Sequence, residues 1–276
     1  MTELVWITDP HLNFLDQPDG PTRFGAEVRR RHPDAHHCVV TGDIAEFESF
    51  RPMLEAFAHG FGGRHPGRVW FILGNHDAYG GSVSGAKACA REMRGYLGTG
   101  QIVELAPGSC LVGHDGWYDA RNGDWRRSRV VMSDFIAIQE FLGTYGQSTA
   151  LAAQELAQPE ASMAESTLRE AVELGYRHIV LATHVPPYSG AAWHEGNISD
   201  DEWQPWMSNQ AMGDVLDKFV GDHPSVEILV LCGHTHSPGA YERGPRLRVL
   251  TGKSEYGQPC VSDVFRFADP RQSVGT

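Results

Sequence analysis

The sequence predicts an α/β fold, on three observations. Five short runs, at 4–8, 38–41, 69–73, 179–183 and 228–232, are β-branched and aliphatic without polar alternation, as strands covered on both faces are. Stretches of helical character lie between most of them. Each run ends in a block of polar residues, and the carboxyl edge of an open α/β sheet is where ligands bind.

The elements follow in chain order. The first run delivers Asp9-Pro10-His11, and a helix over 22–31 follows, with Phe24 and Val28 spaced to face the core. The second delivers Gly42-Asp43 and leads to a helix over 49–59, with Phe50, Leu54 and Phe57 on one face. The third ends in Gly74-Asn75-His76-Asp77, and beyond the Gly80-Gly81 turn a helix is expected over 82–97. A short strand over 109–112 precedes a loop running from Gly113 to Arg121. The interval 124–176 reads as mainly helical, on Phe135, Ile138 and Leu142 and on Leu168, Ala171 and Val172. Pro159 is expected to separate two helical pieces around 150–175. This interval is predicted to cover one sheet face, with 132–142 as a flap. His184 follows the fourth run, and after it come the rigid turn Val185-Pro186-Pro187-Tyr188 and three tryptophans, Trp193, Trp203 and Trp206. Asn209 opens a last helix through Val215, Leu216 and Phe219. The fifth run delivers Gly233-His234-Thr235-His236, and 247–251 and 261–267 alternate as strands of a second sheet.

Taken singly, each polar block also fits a cap, a turn or a satisfied polar residue, and the glycines fit turns. Taken together, carboxylates, imidazoles and an amide are the donor mixture that a pair of borderline-hard divalent cations requires. Carboxylates neutralise charge and imidazoles supply directional nitrogens. The i, i+2 spacing of Asp9 with His11 and of His234 with His236 suits a turn leaving a strand, where alternate side chains share a side.

The order D-x-H, G-D, G-N-H-D, H, G-H-x-H resembles the signature of the calcineurin-like metallophosphoesterase superfamily, and all five blocks are present between Asp9 and His236. The resemblance implies a four-layer α/β/β/α sandwich of two mixed β-sheets flanked by helices, in one domain over 1–276. It implies that Asp9, His11 and His236 hold a first divalent metal, that Asn75, His184 and His234 hold a second, and that Asp43 bridges them. Two cations roughly 3.5 to 4 Å apart clamp the attacking and leaving oxygens of an in-line phosphoryl displacement. A metal-held hydroxide is then expected to attack phosphorus. His76 is expected to protonate the leaving group, with Asp77 orienting it or capping the segment that follows. Mn or Fe is the expected metal, and Zn, Ni or Co fit the same donors.

Departures from the family pattern narrow the branch. Phosphoprotein phosphatases carry Asp-Arg shortly after the second block and Glu after the catalytic histidine, whereas here Asp43 is followed by Ile44-Ala45-Glu46 and His76 by Asp77. Purple acid phosphatases need a tyrosinate where this chain has Glu46. What remains is the broad Asp77-type branch, with phosphodiesterases, pyrophosphatases, nucleases and bacterial enzymes of other specificities.

With 276 residues and 41% hydrophobic content, the chain can bury a sizeable core. Thirty-five acidic against 23 basic residues give a formal charge of -12, which repels polyanions. A nuclease or nucleic-acid repair enzyme is therefore the lesser alternative to a phosphohydrolase of small phosphomonoesters or phosphodiesters, and a non-catalytic metal-binding scaffold is another. No run of 18 apolar residues spans a membrane and no export leader is evident, so a cytoplasmic location is expected. Five irregularly spaced cysteines form no disulfide framework. For the substrate, Trp117 or Tyr118 is a candidate to stack on a base or sugar, Arg121 to bind a phosphate or carboxylate, and Trp193 to form a wall. The alternative for the Trp117 loop is a plug sealing the sheet.

Overall fold

The computed structural model describes residues 1–62 and 68–268. In chain order it contains β1 (Thr2–Ile7), α1 (Gly20–Arg31), β2 (Ala35–Thr41), α2 (Phe50–Gly62), β3 (Val69–Ile72), α3 (Val83–Arg91), β4 (Val103–Ala106), β5 (Ser109–Gly113), α4 (Asp134–Ala137) and α5 (Gln147–Glu173). It continues with β6 (His178–Ala182), β7 (Trp193–His194), β8 (Asn197–Ile198), α6 (Gln204–Met207), α7 (Gln210–Asp222), β9 (Glu227–Cys232), β10 (Gly239–Glu242), β11 (Leu247–Thr251) and β12 (Asp263–Phe267).

The strands form two mixed sheets, in the orders β12-β1-β2-β3 and β10-β11-β9-β6-β5-β4, and β7 pairs with β8 as a separate hairpin. A strand's two-residue period, with a core on each side, explains the unbroken apolar runs of β1, β3, β6 and β9. Leu4 and Trp6 of β1 face Leu111, Val180 and Leu231 of the other sheet, in the core between the sheets. Val5 and Ile7 point outward, into a second cluster with Phe50, Phe57 and Phe61 of α2. On the far side, Cys110, Ile179 and Val230 lie under Leu168 of α5 and Leu216 and Phe219 of α7. This is the expected α/β/β/α layering.

Four expectations need correction. The last strand pairs antiparallel with β1, with Leu4 opposite Phe265, so it belongs to the first sheet rather than the second. The helix expected over 82–97 stops at Arg91, and Gly95 beyond it adopts φ 87°, where a Cβ would run into the Val69 carbonyl. Pro159 does not divide α5, which runs 27 residues through it. A proline inside a helix costs about 3 kcal/mol, but here packing outweighs propensity. Ala150, Ala153 and Ala157 join the α2 cluster and Ala164, Leu168 and Ala171 the α7 cluster, so one rigid rod ties both outer layers. Finally, 124–133 forms no helix, and the flap contains only the short α4 and a 3₁₀ turn, Gln139–Phe141. That segment is strapped down: Gly80 N donates to Ala137 O at 2.9 Å and Gln139 N donates to Gly81 O at 2.9 Å. Glu140 also accepts from Val83 N and Ser84 N, capping α3.

Candidate metal centre

The turns leaving β1, β2, β3, β6 and β9 meet at one edge of the sandwich and bring together all seven residues expected to bind metal. Asp9, His11, Asp43 and His236 form one group, with a donor atom from each lying within 4.8 Å of the others. His11 Nε2 lies 3.1 Å from His236 Nε2 and 3.8 Å from Asp43 Oδ2, and His236 Nε2 lies 3.6 Å from Asp9 Oδ1. The second group centres on Asn75 Oδ1, which is 3.0 Å from both His184 Nε2 and His234 Nδ1. His184 Nε2 is 3.4 Å from Asp43 Oδ1, so Asp43 presents one oxygen to each group.

The backbone explains how short turns achieve this. Among the described residues, five of the seven non-glycine residues with positive φ are Asp9, His11, Asp43, His234 and His236. Side chains rarely adopt that conformation, and where they do the strain is commonly stored at functional sites. The i, i+2 pairs therefore converge through left-handed turns rather than through the strand alternation expected from their spacing. Two glycines permit the close approach. A Cβ on Gly74 would sit 2.2 Å from Asp43 Oδ1, and one on Gly233 would sit 1.9 Å from Asp9 Oδ2.

Hydrogen bonds at the rear of the imidazoles set which nitrogen faces inward. His184 Nδ1 lies 2.9 Å from the Thr41 carbonyl and His234 Nε2 lies 2.8 Å from the Trp206 carbonyl. A carbonyl only accepts, so each of these nitrogens carries a proton and the opposite nitrogen is the one turned toward the centre. Burial, with His184 adding to it, holds His234 below its usual pKa, and burial takes His11 down to about 4. For Asp43, burial opposes ionisation, but His184, His76 and His11 outweigh it and hold the carboxyl well below its usual range. Burial works against the charged form of His184 as well, but the Asp43 and Asp9 carboxylates outweigh it and hold that imidazole above its usual pKa, so a cation bound there would displace a proton.

Asn75 is oriented from outside the centre. Its Nδ2 donates to Asp134 Oδ1 at 2.9 Å, and Tyr79 and Tyr118 donate their hydroxyls to the same carboxylate. Asp134 is fully buried in the strapped segment. Nothing in the local pattern distinguishes it from any other helix-start acid, and its role arises from a contact across 59 residues.

His76 is partly exposed, stacks on Tyr79 with ring centroids 4.1 Å apart, and places Nε2 3.9 Å from Asp43 Oδ2. Asp77 is not its hydrogen-bond partner. Its buried carboxylate accepts from Ile44 N at 2.9 Å, Ala45 N at 3.1 Å and Gly74 N at 2.8 Å. The expected orienting contact is thus replaced by a clasp between the Asp43 and Asn75 turns.

The candidate substrate residues do not gather here. Trp117 is 4% exposed and Tyr118 fully buried, so neither ring has an open face for a base. Tyr118 instead stacks on His234 at 6.0 Å, as a plug behind the metal edge. Arg121 pairs with Asp214 at 2.8 Å. Trp193 packs against Gly239 at the start of β10, in a hairpin whose Glu195 N donates to Ser237 Oγ at 2.8 Å. The residues missed by the sequence reading are Tyr79, Asp134, Phe14 and Tyr256. Tyr256 lies with its ring centroid 4.4 Å from that of His11, in a loop with no regular pattern to announce it.

A family model described as calcineurin-like phosphoesterase matches residues 3–238. The chain belongs to this family. Among solved structures it is similar to a dimetal phosphatase from Danio rerio, at 14% identity and a TM-score of 0.59, covering 94% of this chain and 89% of that one. It is also similar to phosphopantetheinyl hydrolase from Mycobacterium tuberculosis, at 13% identity and a TM-score of 0.63, covering 93% and 90%. No curated protein matches the chain by sequence. These likenesses place the calcineurin-like fold across nearly the whole chain, and among the described residues no helix is long and apolar enough to cross a membrane.

Proposed function

We propose that this protein is a dimetal-dependent phosphohydrolase acting on a phosphomonoester or phosphodiester of a small molecule. The observation that carries the reading is the sharing of Asp43 between two donor groups, one formed with Asp9, His11 and His236 and the other with Asn75, His184 and His234. Two divalent cations bound there would neutralise phosphoryl charge and supply an activated water as nucleophile. Mn or Fe is the proposed pair, on the mixture of carboxylate, imidazole and amide donors.

The chain's own residues supply the rest. Asp43 holds its negative charge at neutral pH and fixes the spacing of the two groups. The ring orientations of His184 and His234 are set by the Thr41 and Trp206 carbonyls before any ligand arrives, which lowers the cost of organising the site. His76, which reaches the opening, donates a proton to the leaving oxygen. Asp77 keeps the Asp43 and Asn75 turns in register and acts on His76 only through the backbone. The flat acidic balance of the chain supports a small substrate rather than a polynucleotide. All five cysteines are free, which supports a reducing compartment such as the cytoplasm.

The test is hydrolysis of p-nitrophenyl phosphate and bis-p-nitrophenyl phosphate by metal-depleted protein reloaded with Mn, Fe, Co, Ni or Zn. Turnover that needs two equivalents of metal is expected. Absence of turnover with every metal, in protein that binds two equivalents, would favour the scaffold reading instead.

A further inference from the structure

We propose that Phe14 and Tyr256 form an aromatic seat for a planar ring on the organic part of the substrate, an aryl group or a nucleobase. The inference rests on the phosphohydrolase reading and names the substrate class of that same site. Both residues are 46% exposed, an unusual state for large rings, and they meet each other with centroids 4.8 Å apart and planes 57° apart. The pair stands at the mouth of the metal centre. Tyr256 lies 4.4 Å from His11, 5.2 Å from His236 and 6.2 Å from His76, centroid to centroid. A phosphoryl group held at that centre would have these rings within reach of its organic substituent.

The seat is also held rigidly. Ser254 N donates to the His236 carbonyl at 3.1 Å, and Ser254 Oγ donates to the Asp9 carbonyl at 2.6 Å. The loop carrying Tyr256 is thereby tied to the two turns that present the first donor group. Phe14 sits in the 3₁₀ turn Leu12–Phe14, directly after His11, and its ring is 6.2 Å from that of His11. Residue 256 falls outside the part of the chain matched by the family model, which ends at 238.

The experiment compares phenyl phosphate, a nucleoside 5′-monophosphate and glycerol phosphate as substrates of the metal-loaded protein and of its Phe14→Ala, Tyr256→Ala and Tyr256→Phe variants. Stacking on an aromatic side chain changes affinity by roughly tenfold. The ratio of kcat/KM for phenyl phosphate or the nucleotide over glycerol phosphate should fall by about that factor in both alanine variants, and Tyr256→Phe should restore it. Whichever ring-bearing substrate loses more identifies the source of the ring. A ratio that stays within about twofold of the parent in the alanine variants would overturn the seat. A second readout needs no turnover: calorimetric titration of metal-loaded protein with phenylphosphonate and methylphosphonate. The parent should prefer the phenyl compound, and Tyr256→Ala should level the two. If the parent hydrolyses nothing yet prefers phenylphosphonate, the seat stands and the phosphohydrolase reading falls. Equal binding of both phosphonates by the parent would remove the seat whatever the turnover.

Discussion

Asp134 holds Asn75 by its amide nitrogen, with Nδ2 to Oδ1 at 2.9 Å, and so decides that Asn75 turns its oxygen toward His184 and His234. An amide left free could present nitrogen instead, which offers no lone pair to a cation. Asp134→Ala is expected to weaken one of the two metal sites by about 10- to 100-fold and to spare the other. Metal content after dialysis against graded chelator measures this, and equal loss at both sites would contradict it.

Asp43→Asn should behave differently, since its carboxylate faces both donor groups. Removing that charge is expected to weaken both metals together. Retention of two tightly held equivalents in this variant would show that the two groups do not share Asp43.

His76→Ala is expected to keep two metals and lose about 10²- to 10⁴-fold in turnover, the range of a missing general acid. The loss should be largest for substrates with poor leaving groups. A drop of the same size for a nitrophenolate, which leaves without a proton, would assign His76 another task.

Asp77 makes three hydrogen bonds to backbone N–H groups that no water reaches. Asp77→Asn turns an N–H₂ toward at least one of those donors, and a buried unmet donor costs about 1 to 3 kcal/mol. A lower melting temperature together with weaker metal binding is expected, and an unchanged melting temperature would mean that the turns are held by other contacts.

His114 is fully buried, with Nε2 2.9 Å from Thr167 Oγ1 and Nδ1 4.0 Å from Glu160 Oε2. Burial lowers its pKa from 6.5 to about 4, against the raising influence of Glu160 and with the help of Lys87. Between these values the unfolded chain binds a proton that the folded chain refuses. Stability is therefore lost as pH falls from 6.5 toward 4, by up to about 3 kcal/mol from this group, and no further below. Urea unfolding at a series of pH values should show a shallower acid decline in His114→Gln than in the parent. Parallel declines would place the titration elsewhere.

The fold was legible where burial on both faces left its mark, as in Leu4 to Ile7, whose neighbours alternate between two cores. The metal blocks were legible because their residue types are rare in combination. What escaped depends on contacts distant in sequence. β12 pairs with β1, and the opposed residues Glu3 and Arg266 within that pairing lie 263 positions apart in sequence. Pro159 reads as a break because local propensity carries no record of the alanine stripe that keeps α5 whole. Asp134 and Tyr256 lie in irregular segments where no period marks them. The left-handed backbone at His11 and His234 was equally hidden, because histidine gives no warning of positive φ.

The long reach of the His11 and His236 pair, 225 residues apart, has a consequence for synthesis. A nascent chain leaves the ribosome with the first half of its metal centre exposed and the closing histidine not yet made. Thr251 and the loop bearing Ser254, which ties the Asp9 turn, come later still. The group of Asp9, His11, Asp43 and His236 can close only once residue 236 has been made, so every shorter stretch of the chain holds at most part of it.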